Sequence, residues 1–544
     1  MEVYIYMKKI MALVVLTALL LVTAAACNKQ QGKAASGEKL NSEGKYENGL
    51  TISLATVMDA DDFEIDGQTS ANNVWRDAYK ERLGITFSDM FVVNSEQYED
   101  KLNMQIASGQ VPDLMTVSRQ QFEMLMENDL AADLTEVYEQ YASDKMKEYI
   151  NSDGGLCMDM CKKDGKLFAI PLTQGSLESP GVVTWIRKDW LDNLNLAVPS
   201  NYDELYKVME AFTFNDPDGN GVDDTFAITT SNELDEWMGF FASFSAYPKS
   251  WIKDADGNIV YGGVQPEAKE ALSALNKMYE AGMISREFGA NDWDQFIKSI
   301  DTNNVGIVYF AWYACSWPLG DVHTESGAEW IPVPIYNVNG GISKVMGNAG
   351  PDNYYVIRKG FSNPEALILM CNLWYELGYG NKEQMLKYHK NEKEEMLADF
   401  SPVHPWLAHE DVEYYNIIKD ALAGKDVGEM PPSCQTYYEA VTRYLAEPND
   451  DDYFTYKMYG PDSGCQVLDY YMKNNLALSE EYYGSGTPTM KEKWGVLESK
   501  QLEAYIKIIM GDEPIEYFDT FVNDWSDNGG TDITKEVREA VKGK

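Results

Sequence analysis

Positive charge is scarce in this chain. Against 87 Asp and Glu stand 45 Lys and Arg, a net charge of −42 at pH 7 over 544 residues. So anionic a body is repelled by nucleic-acid phosphates, which excludes nucleic acid as a partner, and it stays off an anionic membrane surface. Histidine is scarcer still. His323, His389, His404 and His409 are scattered, and their spacing suits neither a zinc-protease helix nor a catalytic triad. No GxSxG elbow, HExxH helix, GxGxxG loop or P-loop occurs, so the motif-bearing enzyme classes find no support. Cysteine is sparse. With Cys27 set aside, Cys157, Cys161, Cys315, Cys371, Cys434 and Cys465 are irregularly spaced. They form no dense disulfide framework, and the CxxxC of Cys157 and Cys161 lacks a second pair to complete a zinc site; buried free thiols are the expectation. Internal repeats and low-complexity core segments are absent.

Long apolar runs are also missing. The one candidate, residues 10–22, falls short of the roughly 20 residues a membrane span needs. It follows Lys8 and Lys9 and precedes Ala24-Ala25-Ala26 and Cys27. That order predicts a secretory signal peptide over residues 1–26. A cysteine directly behind the small residues resembles a bacterial lipobox, in which it becomes the lipidated first residue; Ala24 stands where Leu is usual. The alternative is ordinary Ala-x-Ala cleavage and a plain secreted protein. Residues 28–48 are polar and poor in apolar side chains, and with Cys27 they predict a flexible tether to the outer face of the cell membrane.

What remains is apolar enough, at 44% of the chain, to bury large cores in two or three domains of roughly 100–200 residues. Residues 51–57 read as a strand, 74–83 as a helix closed by Gly84, 85–93 as a second strand, 102–108 as a helix stopped by Gly109, and 114–117 as a third strand. This alternation is a parallel α/β unit. Asp164-Gly165 predicts a hairpin turn, Ser200 with Asp203 a capping box, and Pro266 and Gly282 the two ends of a helix. Residues 305–310 and 330–335 are strand-like, and the chain beyond Glu365 is mostly helical.

The most specific local motif is DPDGNGVDDT, residues 216–225. Oxygen side chains fall at Asp216, Asp218, Asn220 and Asp224, Gly221 sits where the turn needs a left-handed backbone, and Val222 offers its carbonyl. This is the first part of an EF-hand loop, whose hard oxygens suit Ca²⁺. The twelfth position is Ala227, not Glu, so the shell must close with Asp224, Asp223 or water, and a structural rather than switching role is expected. The alternative is an acidic turn without metal. Residues 254–258 resemble the loop superficially but lack the later ligands and predict a hairpin turn.

Several segments together resemble the extracellular solute-binding protein family 1 of ABC importers, in its long lipoprotein branch with alginate- and other oligosaccharide-binding proteins. They are LNMQIASGQVPDLM (102–115), DGKLFAIP (164–171), TWIRKDWLDNLNLAVPSNYDELYKVMEAFTFNDPDGNGVDDTFAIT (184–229), EAGMISREF (280–288), NPEALILMCNLWY (363–375) and the run from Pro488 to Ala540. The resemblance implies an α/β, two-lobed periplasmic-binding-protein-like fold (type II), with the ligand cleft between the lobes and a helix-rich C-terminal part. It implies discontinuous lobes, approximately 49–175 plus 300–365 and 176–299 plus 366–544. It implies a structural Ca²⁺; the family's usual acid beside Asp224 is here Thr225. The partners it implies are ABC permease subunits, served by a monomer held to the membrane through Cys27.

A sugar site pairs aromatic platforms with carboxylates and amides, because sugars present apolar C–H faces ringed by hydroxyls. With 13 Trp and 35 Tyr the chain has many candidates. Those in loops after strands are the useful ones: Asp62 and Trp75 after the first strand, Gln174 after residue 171, Trp312, Tyr313 and Trp317 after residue 310, and Asn353 and Tyr354. Trp237, Trp251 and Trp406 are secondary. For any single Trp, core packing is an equal reading. An oligosaccharide is the expected ligand, with another polar solute such as a peptide, or a secreted glycoside hydrolase, as alternatives. Acid pairs, the hydrolase signature, carry no information among 87 acids.

Overall fold

The computed structural model describes residues 37–57, 65, 67–172, 181–347, 350–351, 353–391, 396–482 and 486–542. The expected signal peptide, Cys27 with most of the tether, Asp62 and Gln174 lie outside the described residues. Among those described, no helix is long and apolar enough to cross a membrane.

Two α/β cores organise the chain. The first sheet runs in the spatial order Ile85–Val93, Leu50–Val57, Leu114–Val117, Asn353–Ile357, Ile170–Leu172. Its first three strands are parallel, as the strand–helix alternation predicts, and Asn353–Ile357 joins antiparallel. The second sheet runs Trp330–Val333, Val182–Arg187, Val305–Ala311, Phe226–Ile228. In the second sheet Val182–Arg187 and Val305–Ala311 are nearly continuous buried apolar runs, whereas the first sheet's edge strand Ile85–Val93 is largely exposed or half-buried. A third apolar cluster, with Tyr414, Ile418, Cys434, Tyr459 and Cys465, holds together the helices between Glu410 and Lys473, while those from Pro488 onward pack on the second core.

Local signals act as expected at many places. Asp164 and Gly165 turn the Lys162–Lys163 and Lys166–Leu167 hairpin with positive φ, and residues 254–258 turn Trp251–Lys253 into Ile259–Tyr261. Gly282 ends Pro266–Ala281 at φ 84, a left-handed conformation costly to any residue with a Cβ. One cap is displaced by a residue. Asn201, not Ser200, caps Tyr202–Phe214, and Ser200 gives its backbone and hydroxyl hydrogens to Glu204.

The lobe boundaries depart from the expectation. Val305–Ala311 belongs to the second sheet, where Val305, Ile307 and Tyr309 share a core with Trp185 and Phe212. The helix Glu365–Gly378, expected in the second lobe, buries Leu367, Met370, Cys371 and Trp374 in the first core beside Trp75 and Tyr79. The stretch up to Trp406 follows it there. The chain thus crosses between the cores three times, after Leu172, after Met346 and after Trp406. Residues 37–48 are not free tether either. Tyr46 is buried in the first core and gives its hydroxyl hydrogen to Glu365, while Glu38 and Asn363 exchange two hydrogen bonds. All six described cysteines are buried, as expected, and no disulfide joins any two of them.

Candidate ligand cleft

Topology fixes which strand ends face the gap between the lobes. Leu172 pairs with Asn353 at one end of the first sheet, and the parallel strands put Val57 and Val117 at that same end. Val182 pairs with Ala311 at one end of the second sheet. The connection 173–181 joins these two ends, and a stretch of that length spans at most about 30 Å. Everything leaving Ala311 therefore emerges toward the first lobe. This is the general place for ligands in α/β proteins, outside the carboxyl ends of the strands.

An aromatic platform stands there. Trp317 and Trp293 are 46% and 44% exposed, unusual for tryptophan. Their ring centroids are 5.9 Å apart, and Phe310 lies 6.0 Å from Trp317 and 6.1 Å from Trp293, near-parallel to the latter. Trp293 opens the helix Trp293–Asp301, fixed by a capping box between Asp292 and Gln295. Trp312 and Tyr313 sit beside the platform, perpendicular at 5.6 Å, with Tyr313 41% exposed. Trp312 is the better anchored: its backbone N–H donates to Gly181 at 2.9 Å, and its ring packs 5.9 Å from Tyr459. Gly464 presses against the same turn so closely that a Cβ there would lie 2.0 Å from the Trp312 carbonyl oxygen.

Across the gap, Tyr354 is buried at the matching end of the first sheet, stacked on Phe122 at 4.8 Å, with its hydroxyl accepting from Arg119. Arg119 also donates to Glu123 at 2.8 Å. Asn353 is half-buried at the strand start. Where the chain makes its third crossing, Glu410 and Asp411 stand side by side. The Tyr379 hydroxyl of the first lobe donates to Glu410 at 2.7 Å, and the Tyr459 hydroxyl of the helical part donates to Asp411. Burial, and then the adjacent Asp411, pushes the Glu410 carboxyl up to about 8. Burial likewise takes Asp411 up to about 6, against the opposing pull of Tyr459 and Lys390. A crossing segment thus offers two carboxyls in hydrogen-bonding register with tyrosines of both halves.

Four of the expected tryptophans go elsewhere. Trp75 has no exposed surface; it packs on Trp374 at 4.8 Å and its indole N–H donates to the Tyr388 carbonyl oxygen. Trp237 is equally buried, 5.1 Å from Phe288 in the second core. Trp251 is buried against Tyr261 and Trp494, and Trp406 against Trp374 and His389. Each lies on the core-facing side of its segment, where apolar burial stabilises the lobe and leaves no face for a ligand. Trp293, Phe310, Glu410 and Asp411 were not singled out from sequence. The Asp292–Gln295 capping box, which fixes where the helix starts, is a signal by which Trp293 could have been found.

The acidic loop lies on the second lobe between Tyr202–Phe214 and Phe226–Ile228. Asp216, Gly219 and Gly221 take positive φ, as a ligand-wrapping turn requires. The Asn220 amide donates to Asp218 at 2.7 Å and to Asp224 at 3.3 Å, and the backbone N–H of Gly221 donates to the second carboxylate oxygen of Asp216. The Oδ1 of Asp216 is buried without a partner among the described residues. Burial, with the neighbouring carboxylates of Asp216 and Asp224, holds Asp218 above its ordinary range. Thr225, where the family has an acid, is turned away and donates to the Phe212 carbonyl oxygen at 2.8 Å. As placed, no three acidic or histidine side chains among the described residues converge on a metal position. The donors nonetheless fit a hard cation: an orphaned carboxylate oxygen, crowded acids, and an amide hydrogen-bonded across them.

Two α/β lobes, three connections and an open aromatic platform at the facing strand ends define a two-lobed binding protein. The chain belongs to the bacterial extracellular solute-binding proteins, whose family pattern it matches over residues 75–348. It is 25% identical over 477 residues to the polygalacturonan/rhamnogalacturonan-binding protein YtcQ of Bacillus subtilis, covering 85% of this chain and 87% of that protein. It is 27% identical over 228 residues, 40% of this chain and 42% of the other, to the fructooligosaccharide ABC transporter substrate-binding protein FusA of Streptococcus pneumoniae. Among solved structures, alginate-binding protein AlgQ2 without calcium ion superposes with a TM-score of 0.60 at 15% identity, over 94% of this chain and all of that one. That likeness is one of fold.

Proposed function

We propose that this protein captures an oligosaccharide between its lobes outside the cell and delivers it to the permease of an ABC importer. The observation that carries the reading is the exposed Trp293–Phe310–Trp317 platform at the strand ends that face the first lobe. An exposed indole face matches the C–H face of a sugar ring, and its position beside the crossings lets lobe closure trap what it holds. The carboxyls of Glu410 and Asp411 and the amide of Asn353 supply hydrogen-bond partners for the hydroxyls; Tyr313 adds a ring edge. Two relatives support the reading: YtcQ, named as a polygalacturonan/rhamnogalacturonan-binding protein, supports a carbohydrate, and FusA, named as a fructooligosaccharide ABC transporter substrate-binding protein, supports the oligosaccharide and the importer. Titration calorimetry against a panel of oligosaccharides, with peptides as controls, tests it. Binding of peptides and of no saccharide sinks it, as does release of hydrolysed product.

In this reading Asp216, Asp218, Asn220, the Val222 carbonyl and Asp224 hold a structural Ca²⁺ that ties helix to strand on the back of the second lobe. The solved AlgQ2 form described as lacking calcium ion supports a cation in such proteins. Lipidated Cys27 would keep a monomeric receptor beside its permease at the outer face of the membrane. Expressed in a bacterium that processes lipoproteins, Cys27→Ser should move the protein from the membrane fraction into the medium; retention in the membrane overturns the anchor.

A further inference from the structure

We infer that the cleft selects uncharged oligosaccharides and rejects uronate-bearing ones, an inference that rests on the carbohydrate reading above. A protein that grips an acidic sugar needs cations free to meet its carboxylates, with arginine the best suited. The cations described near the facing ends, Arg119 and Lys390, are already engaged. The platform turn, residues 312–318, carries no charged side chain. Arg119, at the end of Leu114–Val117, is held by the Glu123 carboxylate at 2.8 Å, the Met160 carbonyl and the Tyr354 hydroxyl. Lys390, the cation set against Asp411, also lies over the Tyr437 ring at 5.7 Å.

At the third crossing the ligand meets Asp411, which burial raises to about 6 and which carries its negative charge at neutral pH, beside Glu410, which burial raises to about 8. A uronate arriving there would bring a second negative charge beside Asp411, whereas a neutral sugar brings hydroxyl donors that the Asp411 carboxylate can accept. The field of the whole chain, at −42, acts in the same sense on approach.

The test uses matched pairs that differ only in charge: galacturonate, mannuronate and glucuronoxylan oligosaccharides, each beside its carboxyl-reduced counterpart. Affinities for the purified protein are read by calorimetry at low and at high salt. The expected result is binding of at least one neutral member, with its acidic twin weaker by at least about tenfold. The gap should narrow at high salt, since screening weakens repulsion. Glu410→Gln combined with Asp411→Asn should narrow it as well, and the wild-type salt series decides the matter if that variant does not fold. Acidic members binding as tightly as or tighter than their neutral twins overturns this inference and leaves the carbohydrate reading intact. No binding by any saccharide of either charge overturns both.

Discussion

Trp317 and Trp293 expose nearly half their surface, so their removal should be felt by the ligand more than by the fold. Trp317→Ala and Trp293→Ala should each weaken oligosaccharide binding by about three- to tenfold, the worth of one aromatic contact of about 0.5–1.5 kcal/mol. Thermal midpoints should stay close to wild type; calorimetry and melting read the two effects separately, and unchanged affinity in both variants removes the platform from the site. The buried acids give a pH signature. Glu410 titrates near 4.5 when unfolded and about 8 when folded, and Glu480, buried against the Trp251 backbone, moves from 4.5 to about 7. Between those values the folded state holds more protons, so stability falls as pH rises and the loss is complete above about 8. Buried His389 works oppositely: burial lowers it from 6.5 to about 4, so its contribution is lost as pH falls below 6.5. The two trends offset at mildly acid pH, and the net expectation is a decline in melting temperature between about pH 6.5 and 8.5. Glu410→Gln should flatten that decline, and an unaltered slope would show that Glu410 does not contribute to it.

At the scale of elements, much was legible. The leading strands, the helix from Pro266 to Gly282, the Asp164-Gly165 hairpin and the acidic loop could be read because each depends on local chemistry: period, caps, positive φ. The partition into lobes could not. Val305–Ala311 announces itself as a strand, but nothing within its residues says which of two apolar sheets receives it; that is settled by pairing with Val182–Arg187, more than a hundred residues upstream in the chain. The same limit explains the tryptophans. Trp75 and Trp312 both follow strand-like runs, yet Trp75 points into a core built with Trp374 from a distant helix. Glu410 and Asp411 were hidden by abundance, being two acids among 87. The acidic loop carries its own prediction. EDTA should lower the melting temperature and added Ca²⁺ restore it; Asp216→Ala, which removes the orphaned oxygen, should melt low and respond to neither. A wild-type midpoint indifferent to both treatments counts against a bound cation.

At the scale of the whole molecule the two cores are separate apolar clusters, linked by the three chain crossings and by side-chain contacts such as Lys491 with Glu127 at 3.6 Å and Ser433 with Met385. Capture by closure therefore has a measurable size. Small-angle scattering with a saturating oligosaccharide should show a smaller radius of gyration than without it, and the Trp317→Ala protein should need more ligand to reach the same value. An unchanged radius at saturation would mean that the cleft binds without closing.

Three crossings also alter what a single cut can do. Neither lobe is one continuous stretch of chain, so neither can be released by severing one connection. A protease acting at any one of the three leaves both halves held by the other two, with both cores still assembled. For a receptor that works outside the cell, the winding path of its backbone is a form of insurance against being nicked.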